Sequence, residues 1–195
     1  RMKGLVIGPD FAMGHGREGG ANNLFSLSKE MEFSLEILSG ISMNGDIISS
    51  TSIRKALTNG DLKKVTLLLG RPFALTGSIV RGDERGRLIG YPTANMKVEK
   101  DKTIPVDGIY ITRIWIDGKP CNSVTSIGLR PTFEKHERTV ETYILDFNGD
   151  LYGQRLKLEF LERLRDEKKF SSVEELIKGI DQDVEQARAF FRVQS

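Results

Sequence analysis

A strand that ends in a tight turn is encoded at residues 109–118, which read Ile109-Tyr-Ile-Thr-Arg-Ile-Trp-Ile-Asp-Gly118. The run is rich in β-branched and aromatic residues, which favour strands, and Asp-Gly favours a hairpin turn because that turn needs positive φ. Asn148-Gly149 ends a second such run and predicts a second hairpin. At least five strands joined by short turns indicate a closed or nearly closed antiparallel barrel. The predicted strands are Phe73–Val80, Ile109–Ile116, Asn122–Ile127, Arg138–Phe147 and Arg155–Arg163.

Helical patterns lie on both sides of this strand-rich region. A capping-box pattern at Ser171-Ser-Val-Glu-Glu175, followed by apolar residues at helical spacing as far as Phe191, predicts a last helix that docks on the barrel. Before the barrel, Gly4–Ile7 and Leu35–Leu38 read as short strands that alternate with helical patterns, which is typical of an α/β unit. The predicted domains are residues 1–70 and residues 71–195.

The charge balance argues against some classes of function. The chain has 195 residues with 29 Lys+Arg and 27 Asp+Glu, a formal net charge of +2, whereas a protein that binds a phosphate backbone needs a concentrated basic face. We therefore expect no nucleic-acid partner, and we expect no membrane segment because no run of about 18 apolar residues occurs. Cys121, the one cysteine, fits a reducing compartment. The expectation is a globular, cytoplasmic protein.

The first candidate site reads Arg81-Gly-Asp-Glu-Arg-Gly-Arg-Leu-Ile-Gly-Tyr-Pro-Thr-Ala-Asn95. Its three glycines allow the backbone to approach a ligand closely and its three arginines add positive charge, so it could cradle a phosphate. Thr93 and Asn95 would share one face of an extended segment. Hard oxygen ligands of this kind suit Mg²⁺ that is held mainly by substrate phosphates and water. A solvated surface loop explains the same composition.

Glu141 is the second candidate. In the predicted strand, a period of two places it on one face with Tyr143, Leu145 and Phe147. A carboxylate on a largely apolar face is costly unless it is paired or functional, and a positioned glutamate can act as a general base. The alternative is an edge position from which Glu141 reaches water.

The third candidate is Leu164-Arg-Asp-Glu-Lys-Lys-Phe170, between the last strand and the last helix. Arg165 and Lys168 could hold an anionic group, and Phe170 could pack on a ring. A solvated charged linker is the alternative.

Two stretches of the first domain carry weaker signals. Gly8-Pro-Asp-Phe11 and Gly14-His-Gly-Arg17 have the flexibility of a ligand-binding loop. Ser49-Ser-Thr51 places hydroxyls at a helix start with Arg54 one turn later, an arrangement that favours an anion. Ordinary N-capping explains the second stretch as well.

Together these stretches resemble the bifunctional bacterial riboflavin kinase/FAD synthetase family (riboflavin kinase/FMN adenylyltransferase) over essentially the whole chain. Six matches in order are far more specific than any one of them. They are Gly82–Gly90, Pro92–Asn95, Asp107-Gly-Ile-Tyr110, Gly128-Leu-Arg-Pro-Thr132, Glu141–Phe147 and Leu164–Phe170.

The resemblance implies both a fold and a reaction. The fold is α+β: a six-stranded antiparallel Greek-key β-barrel with a C-terminal helix, preceded by a partial α/β nucleotidyltransferase domain. The reaction is transfer of the ATP γ-phosphoryl group to the riboflavin 5′-hydroxyl, with Mg²⁺, to give FMN and ADP. The resemblance implies that Glu141 is the base and that Thr93 and Asn95 bind Mg²⁺ and the nucleotide phosphates. Gly82 and Arg87 would belong to a flap over ATP, and Ile144, Asp146 and Tyr152 would lie beside the nucleotide. Arg165, Lys168 and Phe170 would contact the flavin.

The first 70 residues resemble the second half of the family's adenylyltransferase domain. Such domains open with a strand and a His-x-Gly-His type motif, which this sequence does not contain. We therefore expect a truncated or proteolysed form that makes FMN, whereas the full-length protein also converts FMN to FAD. The alternative is a non-catalytic barrel that binds flavin or single-stranded nucleic acid, the latter through a basic groove with interleaved aromatics. The matching residues are Asp10, Phe11, Ser49, Ser50, Thr51 and Arg54.

Overall fold

The computed structural model describes residues 2–43, 45–131 and 136–193. Its residues form two compact units, Arg1–Ser50 and Thr51–Ser195. The strands are β1 (Gly4–Ile7), β2 (Ala12–Met13), β3 (Gly19–Gly20), β4 (Ser34–Ile37), β5 (Ser42–Met43), β6 (Asp46–Ile47), β7 (Phe73–Val80), β8 (Thr93–Lys97), β9 (Gly108–Ile116), β10 (Lys119–Pro131), β11 (His136–Ile144) and β12 (Arg155–Arg165). The helices are α1 (Ala21–Glu30), α2 (Ser50–Thr58), α3 (Leu62–Leu69), α4 (Arg85–Leu88) and α5 (Val173–Val193), with a 3₁₀ turn at His15–Arg17.

The first unit contains the predicted strand–helix–strand pattern. β1 and β4 pair in parallel, and α1 lies between them in the chain. The strand predicted at Leu35–Leu38 begins and ends one residue earlier, at Ser34–Ile37. Ile7 in β1, Leu24 in α1 and Phe33 just before β4 are buried.

The second unit contains the predicted barrel. Within the described residues, six strands close in the order β10-β11-β8-β7-β12-β9, and every neighbouring pair is antiparallel. Tyr110, Ile114, Leu158 and Phe160 are completely buried in its core. The Asp117-Gly118 turn joins β9 to β10 with φ of 49° and 75°, as its sequence predicts.

The hairpin predicted at Asn148-Gly149 is wrong. β11 pairs with β10 and β8, whereas β12 pairs with β7 and β9, so these consecutive strands are not neighbours. β11 also ends at Ile144, three residues before its predicted end, because Asp146 adopts a left-handed φ of 55°. The predicted face therefore holds for Leu145, which packs under α5, but not for Phe147, which packs against the barrel core.

Helices α2 and α3 pack against the barrel. Asp61 caps α3 by accepting a hydrogen bond from the Lys64 backbone N–H at 3.0 Å, and Gly70 ends the helix with a φ of 66°. Leu57 and Val65 are buried in the same core as the barrel strands. The sequence predicts a domain boundary after residue 70, whereas the two compact units are defined by packing alone. The predicted boundary stays a prediction.

The predicted capping box begins α5. The Ser172 hydroxyl accepts a hydrogen bond from the Glu175 backbone N–H at 3.2 Å, and the Glu175 carboxylate accepts one from the Ser171 backbone N–H at 3.1 Å. Further along, Ala187 and Phe191 pack in a second core against the outer face of the barrel. In the part of the chain that the structure describes, no helix combines the length and the apolar character needed to cross a bilayer.

A buried ion pair fixes α5 to the end of β12. The Asp183 side chain is 4% exposed, and its carboxylate accepts hydrogen bonds from Arg165 Nε at 2.8 Å and Arg165 Nη2 at 2.6 Å. A two-point contact of this kind fixes both distance and orientation.

We expect Asp183→Ala to lower the free energy of unfolding by about 2–4 kcal/mol, because Arg165 would lose its buried partner. Urea denaturation measures the change. Glu185→Ala, which removes a carboxylate from an exposed position of α5, is the control and should cost less than about 0.5 kcal/mol. A loss for Asp183→Ala that is no larger than the control's would contradict a stabilising role for the pair.

Candidate active site

Two cavities of the second unit meet at Thr93, which lines both. Cavity A has a volume of about 390 Å³ and cavity B one of about 300 Å³. Cavity A is lined by Ile79, Glu84, Arg87, Pro92, Thr93, Ala94, Thr142, Ile144 and residues 147–152. Cavity B is lined by Arg85, Gly86, Ile89, Tyr91, Thr93, Ile109, Val124, Ser126, Glu141, Tyr143, Arg165, Glu167, Lys168, Phe170, Leu176, Ile180, Asp183 and Val184.

Three predicted site residues come together through strand pairing. Asn95 on β8 lies directly opposite Glu141 on β11, and Thr93 is two residues from Asn95 on the same strand. The Thr93 hydroxyl is 3.5 Å from Glu141 Oε2, to which it donates a long hydrogen bond. Glu141 is half-buried and lines cavity B. The arrangement therefore places the hydroxyl of Thr93 and the carboxylate of Glu141 beside each other at cavity B. The amide of Asn95 lines a further cavity of about 390 Å³ together with these two residues.

Residues 81–91, hereafter the flap, contribute to both cavities through the short helix α4. Two of its glycines are required by contacts within the protein. A Cβ added at Gly82 would lie 2.3 Å from the Asn95 side-chain nitrogen, and one added at Gly86 would lie 2.2 Å from the Tyr91 carbonyl oxygen. Glycine at position 82 thus lets the flap approach β8, and glycine at position 86 lets the flap fold back on itself at Tyr91. Both reasons differ from the close ligand approach that the sequence suggests.

The residues expected beside the nucleotide divide between two places. Arg87, Ile144 and Tyr152 line cavity A. The Asp146 carboxylate instead accepts hydrogen bonds from Arg188 on α5, at 2.8 Å and 2.6 Å, and lines a neighbouring cavity of about 420 Å³. The hydrogen bond from Arg188 holds the pKa of Asp146 below its usual value. Asp146 therefore ties the loop after β11 to α5.

Residues 165–170, hereafter the clamp segment, lie along cavity B. Arg165 uses its guanidinium on Asp183, so its charge is balanced within the protein. Lys168 Nζ lies 5.0 Å from the centre of the Phe170 ring. The segment thus brings an aromatic ring and an ammonium group to the cavity, and the ligand that they contact stays a prediction.

Glu167 is a cavity residue that the sequence reasoning did not select. It lines cavity B together with Glu141, and its carboxylate lies over Gly128, where an added Cβ would be 2.2 Å from Oε1. Burial raises the pKa of Glu167, and the charges of Asp107 and Glu141 raise it further. The sequence shows an acidic residue among cations, whereas its contact with β10 is a property of the tertiary structure. Thr132, at the end of the Gly128 motif, lies outside the described residues.

The residues expected to belong to an adenylyltransferase are divided between the two units. Phe11 follows β1 in a turn, where its backbone N–H donates to the Gly8 carbonyl at 3.2 Å. Asp10 and Phe11 thus lie in a turn of the first unit, and Ser49 lies just before α2. The other matching residues lie in the first turns of α2: Ser50, Thr51 and Arg54.

The barrel thus carries two adjoining cavities that share Thr93. Comparison with known proteins identifies the family. A family model described as riboflavin kinase matches residues 69–191, and one described as FAD synthetase matches residues 1–52. The chain belongs to the riboflavin kinase family.

Curated relatives extend the comparison to the whole chain. A bifunctional riboflavin kinase/FMN adenylyltransferase of Haemophilus influenzae is 37% identical over 97% of this chain and 62% of its own length. The protein of the same description from Escherichia coli K12 is 38% identical over 98% of this chain and 61% of its own length. The chain therefore spans about three fifths of these relatives.

A solved structure shares the fold. A Streptococcus pneumoniae protein described as a macrolide-efflux protein superposes with a TM-score of 0.80 and 34% sequence identity, covering 94% of this chain and 60% of that one.

Glu167→Gln should stabilise the protein increasingly as pH rises. The pKa of Glu167 is raised in the folded state above its ordinary value of 4.5, so the folded state holds the proton more tightly and loses stability as pH rises from that value through the folded-state pKa. Glutamine removes this cost and keeps a side-chain oxygen. Urea denaturation from about pH 3 to about pH 8 tests the dependence.

Glu185→Gln at an exposed position of α5 is the control for the effect of replacing a carboxylate by an amide. A stability difference between Glu167→Gln and the parent chain that does not change with pH would contradict the raised pKa of Glu167.

Proposed function

We propose that this chain is an ATP-dependent riboflavin kinase, which phosphorylates riboflavin to give FMN. The observation that carries the proposal is the meeting of two cavities at Thr93, with the Glu141 carboxylate 3.5 Å from its hydroxyl. The match to the riboflavin kinase family over residues 69–191, which include the whole barrel, supports it.

The two substrates are assigned to the cavities by their chemistry. Cavity B has aromatic and aliphatic walls that include Tyr143 and Phe170, which suit a planar ring system. Cavity A has Arg87 and Glu84 from the flap and a polar loop that ends at Tyr152, which suit a nucleotide with its phosphates and ribose. In this assignment riboflavin occupies cavity B and ATP occupies cavity A, so the reacting groups approach each other beside Thr93.

Glu141 is the general base of the proposed reaction. It accepts the proton of the riboflavin 5′-hydroxyl as that oxygen forms a bond to the γ-phosphorus of ATP. The bond from the γ-phosphorus to the bridging oxygen breaks at the same time, and the electron pair leaves with ADP. The Thr93 hydroxyl, which points at the carboxylate, orients it for the transfer. Catalysis then depends mainly on positioning two substrates in adjoining cavities.

The donor set at this point fits Mg²⁺ that is shared with substrate. Among the described residues, no group of three or more His, Cys, Asp or Glu is placed to hold a metal ion, so a resident metal bound by protein alone has no support there. A side-chain hydroxyl and a side-chain amide suit Mg²⁺ that keeps phosphate and water ligands. Thr93 and Asn95 would hold it. When bound, Mg²⁺ supplies neutralisation of the charge on the transferred group.

For the longer protein that the relatives represent, we propose a second activity, adenylylation of FMN to FAD. The match of the FAD synthetase model to residues 1–52 supports it, as do the names of the relatives. We place both reactions in the cytoplasm, since one cysteine in 195 residues fits a reducing compartment.

Incubation of the chain with riboflavin, ATP and Mg²⁺ should produce FMN with little FAD, and chromatographic separation of the flavins measures both.

Glu141→Gln should lower kcat at least about 100-fold with little change in substrate binding, because it removes the base and keeps the shape. Glu185→Gln is the matched control and should retain full turnover. Near-normal turnover in Glu141→Gln would show that Glu141 is not the base, and flavin binding without FMN formation would favour the non-catalytic barrel.

Thr93→Ala and Asn95→Ala should each raise the KM for Mg-ATP by about tenfold or more, since a lost ligand weakens the coupling of metal to phosphate. The KM for riboflavin should change much less. Initial rates over a matrix of Mg²⁺ and ATP concentrations separate the two effects. An equal rise in both KM values, or no rise, would count against the metal assignment.

A further inference from the structure

Tyr91 joins the flap to α5. Its hydroxyl donates a hydrogen bond to the Asp181 carboxylate on α5, although the two residues are 90 positions apart in the chain.

The rest of Tyr91 is fitted to the flap and to β11. Its backbone N–H donates to the Gly86 carbonyl at 2.8 Å, so the position of Tyr91 sets the position of α4. Its ring packs edge-on against Tyr143, with 5.1 Å between the ring centres. Tyr143 lies opposite Thr93 on the neighbouring strand. One side chain thus connects the flap, the reacting centre and α5.

The two sides of cavity B come from the elements that this hydrogen bond joins. Arg85, Gly86 and Ile89 belong to the flap, whereas Leu176 and Ile180 belong to α5. Separation of the flap from α5 would widen the cavity between them, and the hydrogen bond from Tyr91 to Asp181 opposes that separation.

We propose that Asp181 is a positioning residue. By accepting a hydrogen bond from the Tyr91 hydroxyl, it holds the flap against α5 and so retains the ligand in cavity B. The identity of that ligand as riboflavin rests on the proposed function. Asp181 itself is exposed and is not among the residues that line cavity B, so it acts through Tyr91.

Fluorescence titration of riboflavin, carried out without ATP, tests the proposal on Asp181→Ala, Tyr91→Phe and the double variant. Each single change should raise the dissociation constant about tenfold, the effect of one hydrogen bond to a charged group. The double variant should be no weaker than either single variant, because both remove the same contact. Asp181→Asn, whose amide oxygen still accepts, should recover part of the affinity. Glu185→Ala on the same helix is the control and should leave affinity unchanged.

Amide hydrogen exchange of the flap gives a readout that does not depend on any ligand. The amides of residues 81–91 should exchange faster in Asp181→Ala and in Tyr91→Phe than in the parent chain, because loss of the contact frees the flap to open locally. They should exchange no faster in the double variant than in either single variant. If the parent chain binds no riboflavin, the proposed function fails and the exchange measurement still decides the contact. Unchanged exchange in both single variants, or unchanged affinity in both single variants of a riboflavin-binding chain, would overturn the proposal.

Discussion

The candidate site depends on the antiparallel pairing of β8 with β11. This pairing places Asn95 opposite Glu141, and Thr93 reaches the same point because alternate residues of a strand share a face. A shift of one residue in register would send Glu141 into the barrel and Thr142 outward. Val140 and Thr142 are almost fully buried, so the packing of the barrel interior holds the register that keeps Glu141 at the cavity.

Helix α5 gives this pairing its surroundings. It covers an apolar outer face of the barrel, and its polar side chains hold the segments that line the cavities. These contacts pair Asp181 with Tyr91 of the flap, Asp183 with Arg165 of the clamp segment, and Arg188 with Asp146 of the loop after β11. Helix α5 therefore covers the barrel and also holds the flap, the clamp segment and the loop after β11. The distances between these three segments depend on where α5 docks.

Local patterns accounted for most of the fold of the second unit. The bounds of β7 match its apolar run, Asp117-Gly118 forms the expected turn, and the capping box begins α5. These features succeed because strand propensity, positive φ and capping are decided by a few neighbouring residues. Asn148-Gly149 failed since the choice of a strand's partner is decided by barrel closure, and β12 pairs elsewhere.

The sequence by itself determined which side chains of this protein are candidates for chemistry. Thr93, Asn95 and Glu141 were selected from residue type and strand periodicity, and the ordered motifs around them pointed to the riboflavin kinase family. Only the tertiary structure decided that the guanidinium of Arg165 pairs with Asp183 and that Glu167 lies over Gly128. Contacts of this kind join residues far apart in the chain, and their energies depend on burial and charge that exist only after the barrel has closed and α5 has docked.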